Sequence, residues 1–266
     1  MVRIIQHPIV SPDPFIFIRE YALEPDFCHH VITKFLDDEN KVKGVCGEYA
    51  QENTIKDSID LCIDRFDNWS EETNIFRTNL KIALQEYVNH IQSHVVLPTY
   101  GHNKEPDYAQ FTACNGQIID YGFQIQETKP CGSYDWHDDS MIAWNHQHER
   151  VLTYIYYLND IWEDGCTEFM NGLKIPPREG RLIIFPATWT YMHRGSILHG
   201  IQNKYIATGW IYKDHSQFNA PCELTASDNE SILDDTELKD EEINELLLDY
   251  EPPIEGEITL NETILQ

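Results

Sequence analysis

From Tyr121-Gly122 to Asp214 the chain falls into eight short segments, each alternating or wholly apolar and each closed by turn residues. No other feature restricts the fold so far. Short apolar or alternating segments at close, regular spacing are the signature of a β-sandwich or barrel, and eight is the jelly-roll number. Strands are expected at 123–128, 134–137, 151–158, 167–169, 173–175, 181–185, 190–193 and 204–212. Asn159-Asp160 and Glu163-Asp164-Gly165 supply the turn after the third, and Glu179-Gly180 the turn before the sixth. The expected class is mostly β with α, a double-stranded β-helix (jelly roll) flanked by N-terminal helices.

Those helices are read upstream. A short strand at 15–18 precedes Pro25, which opens a helix whose Phe27, Val31 and Phe35 recur at i+4. After a polar stretch with an edge strand near 58–63, Ser70-Glu71-Glu72 forms a helix start, the hydroxyl capping free N–H groups and the carboxylates facing the positive end of the dipole. A stripe of Phe76, Leu80, Ala83, Tyr87, Ile91 and Val95 follows until Pro98. The expected organisation is a support region over 1–120, a catalytic core over 121–215 in the same domain, and an acidic tail over 216–266.

The net charge is −26, and more than half of it sits after Cys222, where fifteen Asp or Glu face the single Lys239. A surface of that sign repels phosphate backbones and anionic membranes, so neither nucleic acid nor a membrane is an expected partner. The tail reads as a solvated, partly disordered appendage or as a segment that docks a partner. Cys28, Cys46, Cys62, Cys114, Cys131, Cys166 and Cys222 are odd in number and contain no Cys-x-x-Cys pair, which fits a reducing compartment rather than a disulfide framework. With no leader pattern and no run of about 18 apolar residues, the expected location is the cytoplasm.

Chemistry enters with His137-Asp138-Asp139. On an extended segment, residues i and i+2 share a face, so His137 and Asp139 reach one ion together while Asp138 points away. Two imidazoles and one carboxylate, with the remaining positions open, is the ligand set of non-haem Fe(II) oxygenases. His193 and His199 are both candidates for the second imidazole. Lys204 heads an alternating strand, Lys204, Ile206, Thr208 and Trp210, and can hold the far carboxylate of a dicarboxylate that chelates the metal by its 2-oxo acid end. Tyr157, on a face with Val151, Thr153 and Ile155, can add a hydroxyl.

These residues resemble the 2-oxoglutarate and Fe(II)-dependent dioxygenases of the prolyl 4-hydroxylase type, including bacterial and phage members. The resemblance covers about 123–214. The family's Gly-x-Tyr and His-x-Asp fall on Gly132-Ser133-Tyr134 and on His137 and Asp139. Its Tyr-Tyr-Leu-Asn falls on Tyr156-Tyr157-Leu158-Asn159, and its later block on Phe185-Pro186, His193-Arg194-Gly195, Gly200 to Lys204-Tyr205, and Trp210. The family's basic residue follows the distal His by about ten positions, which selects His193 over His199.

The resemblance implies Fe(II) on His137, Asp139 and His193, and 2-oxoglutarate held by Lys204 and Tyr157 with Tyr134 on the approach. It further implies dioxygen as co-substrate, ascorbate as reductant, and hydroxylation of an aliphatic C–H, most characteristically of a prolyl residue in a peptide or protein, with a small molecule as the other substrate class. Two positions depart from the pattern. Glu127 or Thr128 stands where many relatives carry a Tyr before the metal His, and Gly165-Cys166 replaces a Gly-Gly.

Other readings are weaker. His90 and His94 are four apart on a helix but lack the zincin Glu at Ile91. His146-Gln147-His148-Glu149 has the His-x-His of a cupin-type metal enzyme, but its Glu is directly adjacent to the pair. Trp136, Trp144 and Trp162 flank the expected mouth and read first as packing residues. A jelly-roll interaction protein without a metal is the alternative of a different class.

Overall fold

The computed structural model describes residues 11–45, 55–94, 118–120, 122–140, 148–162 and 164–214, all within one compact unit, 1–219. The elements in chain order are β1 (Phe17–Arg19), α1 (Pro25–Asp37), β2 (Val42–Lys43), β3 (Ile59–Cys62), α2 (Ser70–His94), β4 (Ile118–Asp120), β5 (Gln124–Thr128), β6 (Tyr134–His137), β7 (His148–Tyr157), β8 (Thr167–Phe169), β9 (Lys174–Ile175), β10 (Leu182–Pro186), β11 (His193–Gly195) and β12 (Lys204–Asp214). The acidic tail, 216–266, and the segment carrying His146 lie outside the described residues, as do Trp144 and the Glu163 of the expected turn.

Among the described residues the strands form two antiparallel sheets. The larger runs β1-β10-β7-β12-β5-β3-β2, with β4 also on β12; the smaller runs β6-β11-β8-β9. This is a jelly-roll-like arrangement. Each face of the larger sheet has its own apolar cluster, because successive side chains on a strand point to opposite faces. On one face Tyr154 and Tyr156 of β7, Ile184 of β10 and Tyr205 of β12 join Phe35 of α1 and Phe76 and Tyr87 of α2. On the other, Ile155 and Tyr157 of β7 and Ile183 and Phe185 of β10 meet Phe169 and Ile175 of the smaller sheet. Strand β10 reads Leu-Ile-Ile-Phe without a polar residue because both its faces are covered.

Two expected elements are placed differently. Ser70 does not act as an N-cap: a 3-10 turn, Asp67–Trp69, runs directly into α2, and Ser70 is already helical at φ −61° and ψ −35°. The strand expected at 190–193 begins only at His193. Ahead of it, Trp189–Tyr191 is a 3-10 turn closed by the Tyr191 N–H on the Thr188 carbonyl at 2.9 Å, with the Thr188 and Thr190 hydroxyls 2.8 Å apart. Alternating Thr with bulky rings imitates a strand; here the two hydroxyls bond each other and a backbone bond closes a turn instead.

Phe76 joins α2 to the sheet. It is fully buried, stacks on Phe123 at 5.0 Å, and meets Tyr156 at 5.5 Å and Phe27 of α1 at 5.2 Å. Phe76→Ala is expected to cost about 3–5 kcal/mol of stability, the range for a buried Phe that leaves a cavity. Urea unfolding checks this; a loss below about 1 kcal/mol would contradict the packing role.

Candidate metal centre

β6 and β11 pair so that His137 lies opposite His193, their rings 4.3 Å apart. Asp139 follows two residues beyond the end of β6. One ligand atom from each of His137, Asp139 and His193 lies within 4.8 Å of the others, and among the described residues this is the cluster able to hold a metal. Nε2 of His193 is 3.5 Å from Asp139 Oδ2, and Nε2 of His137 is 3.9 Å from Oδ1. His199 is exposed and takes no part.

Both imidazoles are oriented from behind. The Asp135 carbonyl lies 2.7 Å from His137 Nδ1, and the Tyr191 carbonyl 3.1 Å from His193 Nδ1. A carbonyl only accepts, so each Nδ1 donates and each Nε2 keeps its lone pair for the shared space. Tyr134 stacks on His137 at 3.6 Å, and Phe185 meets His193 edge-on at 4.8 Å. Burial, reinforced by the nearby His193, pushes the His137 pKa down to about 4, so its ring is neutral and able to coordinate at ordinary pH. Burial would raise the Asp139 pKa, but His193, His137 and the Thr153 hydroxyl, which donates to Oδ2 at 2.8 Å, hold it below the usual carboxylate range. Asp138 turns to the Ser140 N–H at 2.9 Å.

The cluster opens into a cavity of about 730 Å³, walled by Lys204, Ile206, Thr208 and Trp210 of β12 as the alternation requires. Lys204 is buried, and its ammonium donates to the Gly165 carbonyl at 3.1 Å. No carboxylate pairs with it among the described residues. Gly165 has φ +70°, so the turn beneath the lysine needs glycine there, while Cys166 takes the second place without that demand. On β5, Thr128 lines the cavity; Glu127 faces away, its carboxylate accepting from Tyr205 and Asn203.

Tyr157 is fully buried in the inter-sheet core rather than on the cavity wall, its hydroxyl 2.6 Å from the hydroxyl of Thr167, which does line the cavity. Tyr134 lines the cavity as well as stacking on His137. Three further wall residues, Thr153, Lys56 and Arg150, had no assigned role in the sequence. Thr153 could have been found, since it shares a strand face with Ile155. Lys56 gives no such signal, because only folding brings it to β6.

Residues 123–212 match the family model of the 2OG-Fe(II) oxygenase superfamily. The chain carries a 2OG-Fe(II) oxygenase domain. It is an Fe(II)- and 2-oxoglutarate-dependent dioxygenase, and the His137, Asp139 and His193 donors fit the iron that the family implies. The oxygenase is similar in fold to a Trichoplax adhaerens prolyl hydroxylase solved with a hypoxia inducible factor peptide fragment, at 16% identity and a TM-score of 0.54, over 75% of this chain and 84% of that one. It is also similar to a Pseudomonas putida prolyl-4-hydroxylase, at 14% identity and a TM-score of 0.50, over 75% and 93% of the two chains. No curated protein sequence matches it.

Burial pushes the Lys204 pKa down to about 8 from its ordinary 10.5. Below pH 8 the folded apo-oxygenase must hold this charge in a dry site, at a cost of roughly 3 kcal/mol. Between about pH 8 and 10.5 the folded state releases the proton before the unfolded state does, so this cost is relieved as pH rises. Lys204→Met is therefore expected to be the more stable protein at pH 7 and to lose most of that advantage by pH 10. Urea unfolding at the two pH values tests this, and a constant difference would contradict it.

Proposed function

We propose that the oxygenase hydroxylates an aliphatic C–H bond of a peptide or protein, most specifically at a prolyl residue. The observation that carries the reading is the buried His137–Asp139–His193 cluster opening into the same cavity as the carboxylate-free cation Lys204. Bound there, iron(II) with 2-oxoglutarate and dioxygen supplies the oxidant for C–H hydroxylation, with succinate and carbon dioxide as co-products.

The protein's own part is orientation and exclusion. His137 and His193 present Nε2 while backbone carbonyls hold Nδ1, and Asp139 is aimed by Thr153. Lys204 offers the far carboxylate of 2-oxoglutarate an ammonium whose competing contact is a neutral carbonyl, a pairing that is strong where water is excluded. Thr167, 2.6 Å from the Tyr157 hydroxyl, supplies the wall hydroxyl that Tyr157 backs. Ile155 and Ile206 add apolar surface to the cavity wall, against which an aliphatic group can pack.

The prolyl assignment is supported by the likeness in fold to prolyl hydroxylases, one of them solved with a peptide. A net charge of −26 favours a neutral or basic chain over an acidic one. Ascorbate is proposed as the reductant that keeps the iron in its Fe(II) form, and the cytoplasm as the location, where Cys28, Cys62, Cys131 and Cys166 would stay reduced. A free amino acid is the second substrate class, favoured by Arg150, a cavity-wall cation whose hydrogen-bond and ring contacts among the described residues are the Tyr212 hydroxyl, two aromatic rings and a distant carbonyl of Asp139.

Prolyl peptide libraries and free proline are to be incubated with Fe(II), 2-oxoglutarate and air, then weighed by mass spectrometry. The expected result is one added oxygen on prolyl peptides, matched by succinate; oxygen gained by free proline alone would move the assignment to small molecules. His193→Ala is expected to abolish succinate formation, and His199→Ala to leave it intact.

A further inference from the structure

A buried ion pair on the cavity wall lies outside the ligand set. Lys56 and Asp60 are 5% and 1% exposed, with Lys56 Nζ 2.7 Å from Asp60 Oδ2. Ser58 donates to the other oxygen, Oδ1, at 2.7 Å. Lys56, Asp57 and Ser58 line the cavity, while Ile59 and Leu61 of β3 belong to the apolar cluster of the opposite face. A Cβ on Gly44 would clash with Ser58 Oγ and lie 2.9 Å from Asp60 Oδ2, so the backbone of 44 closes tightly over the cluster. A buried ion pair gives little net stability against an apolar pair of the same size, so stability alone does not account for one here.

What the pair touches gives it a role. Lys56 forms a β-bridge with Tyr134, and the flanking hydrogen bonds, Asp57 N–H to the Ser133 carbonyl and Asp135 N–H to the Ile55 carbonyl, are both 2.9 Å. Lys56 Nζ stands 5.5 Å from the centre of the Tyr134 ring, within cation–π range. That ring lies almost parallel to the imidazole of His137, 3.6 Å away at 14°. The chain of contact therefore runs from Asp60 through Lys56 and Tyr134 to a metal ligand. His193 has the aromatic ring of Phe185 set in the core on its own side; His137, at the open end of the smaller sheet, has Tyr134.

We propose that Lys56, fixed by Asp60, is a positioning residue that holds the Tyr134 ring against His137 and so sets the plane of that imidazole for the metal. The proposal rests on the metal centre assigned above. Without the cation, Tyr134 turns more freely, His137 loses one wall of its slot, and the site loses part of its pre-organisation.

The test uses the full chain and Mn(II) alone, titrated calorimetrically, with the electron paramagnetic resonance spectrum of bound Mn(II) as a second readout. Lys56→Gln with Asp60→Asn removes both charges yet keeps a hydrogen-bonded pair, so no lone charge is left buried. This variant is expected to bind Mn(II) about 3–10-fold more weakly, with a broadened spectrum, on the scale of outer-contact effects at metal sites. Tyr134→Leu is expected to weaken binding at least as much, and the triple variant no further, because the two changes break one chain of contact. Lys56→Arg, which keeps the cation, is expected to stay within about twofold of the parent. Parent-like binding by the neutral pair, or losses that multiply in the triple variant, would overturn the proposal. If the neutral pair does not fold, Tyr134→Leu, which keeps the ion pair, decides: unchanged Mn(II) affinity would overturn it. No binding by the parent would instead overturn the metal centre itself, and this inference with it.

Discussion

The pairing of β6 with β11 is the constraint on which the rest depends. It sets His137 opposite His193, and the three-residue β11 is held on its other side by β8, with His193 against Phe169. Neither strand is long enough to fix its own register by hydrogen bonds alone. The apolar cluster between the two sheets, with Phe169 and Phe185 beside the His193 ring, supplies what the short ladder lacks. Arg194 and Lys174 both pair with Glu168, tying β8, β9 and β11 together across the ladder. A one-residue slip would turn His193 away from the cavity, so register and metal site are one requirement.

The larger sheet answers a different demand. It must present polar residues to a cavity on one face and remain anchored on the other. Strict alternation along β12 does both, with Lys204, Ile206 and Thr208 toward the cavity and Tyr205, Ala207 and Ile211 in the cluster shared with the helices. The charges on the wall differ in how they are met. Lys56 is answered by Asp60 and Arg194 by Glu168, whereas Lys204 has a carbonyl in place of a carboxylate. A dry cation with a neutral partner is the part of the cavity most suited to an anionic ligand.

Much of this was legible in the sequence because strand alternation and helix periodicity are local. The strands at 134–137 and 167–169 were read with their observed bounds, and the face shared by Lys204, Ile206, Thr208 and Trp210 is the cavity wall. Contacts between distant segments were not legible. Nothing in Ile55-Lys56-Asp57 shows that it will lie along Ser133-Tyr134-Asp135, and nothing in Tyr157 shows that its hydroxyl will meet Thr167. The turn at Trp189–Tyr191 is not legible because Thr alternating with bulky rings gives the pattern of a strand.

The most direct measurement is the visible spectrum of the protein mixed anaerobically with Fe(II) and 2-oxoglutarate. If His137, Asp139 and His193 hold iron with positions open for the co-substrate, a weak metal-to-ligand charge-transfer band will form and will be lost in Asp139→Ala. The absence of a band in the parent protein, or its persistence in Asp139→Ala, would contradict the account.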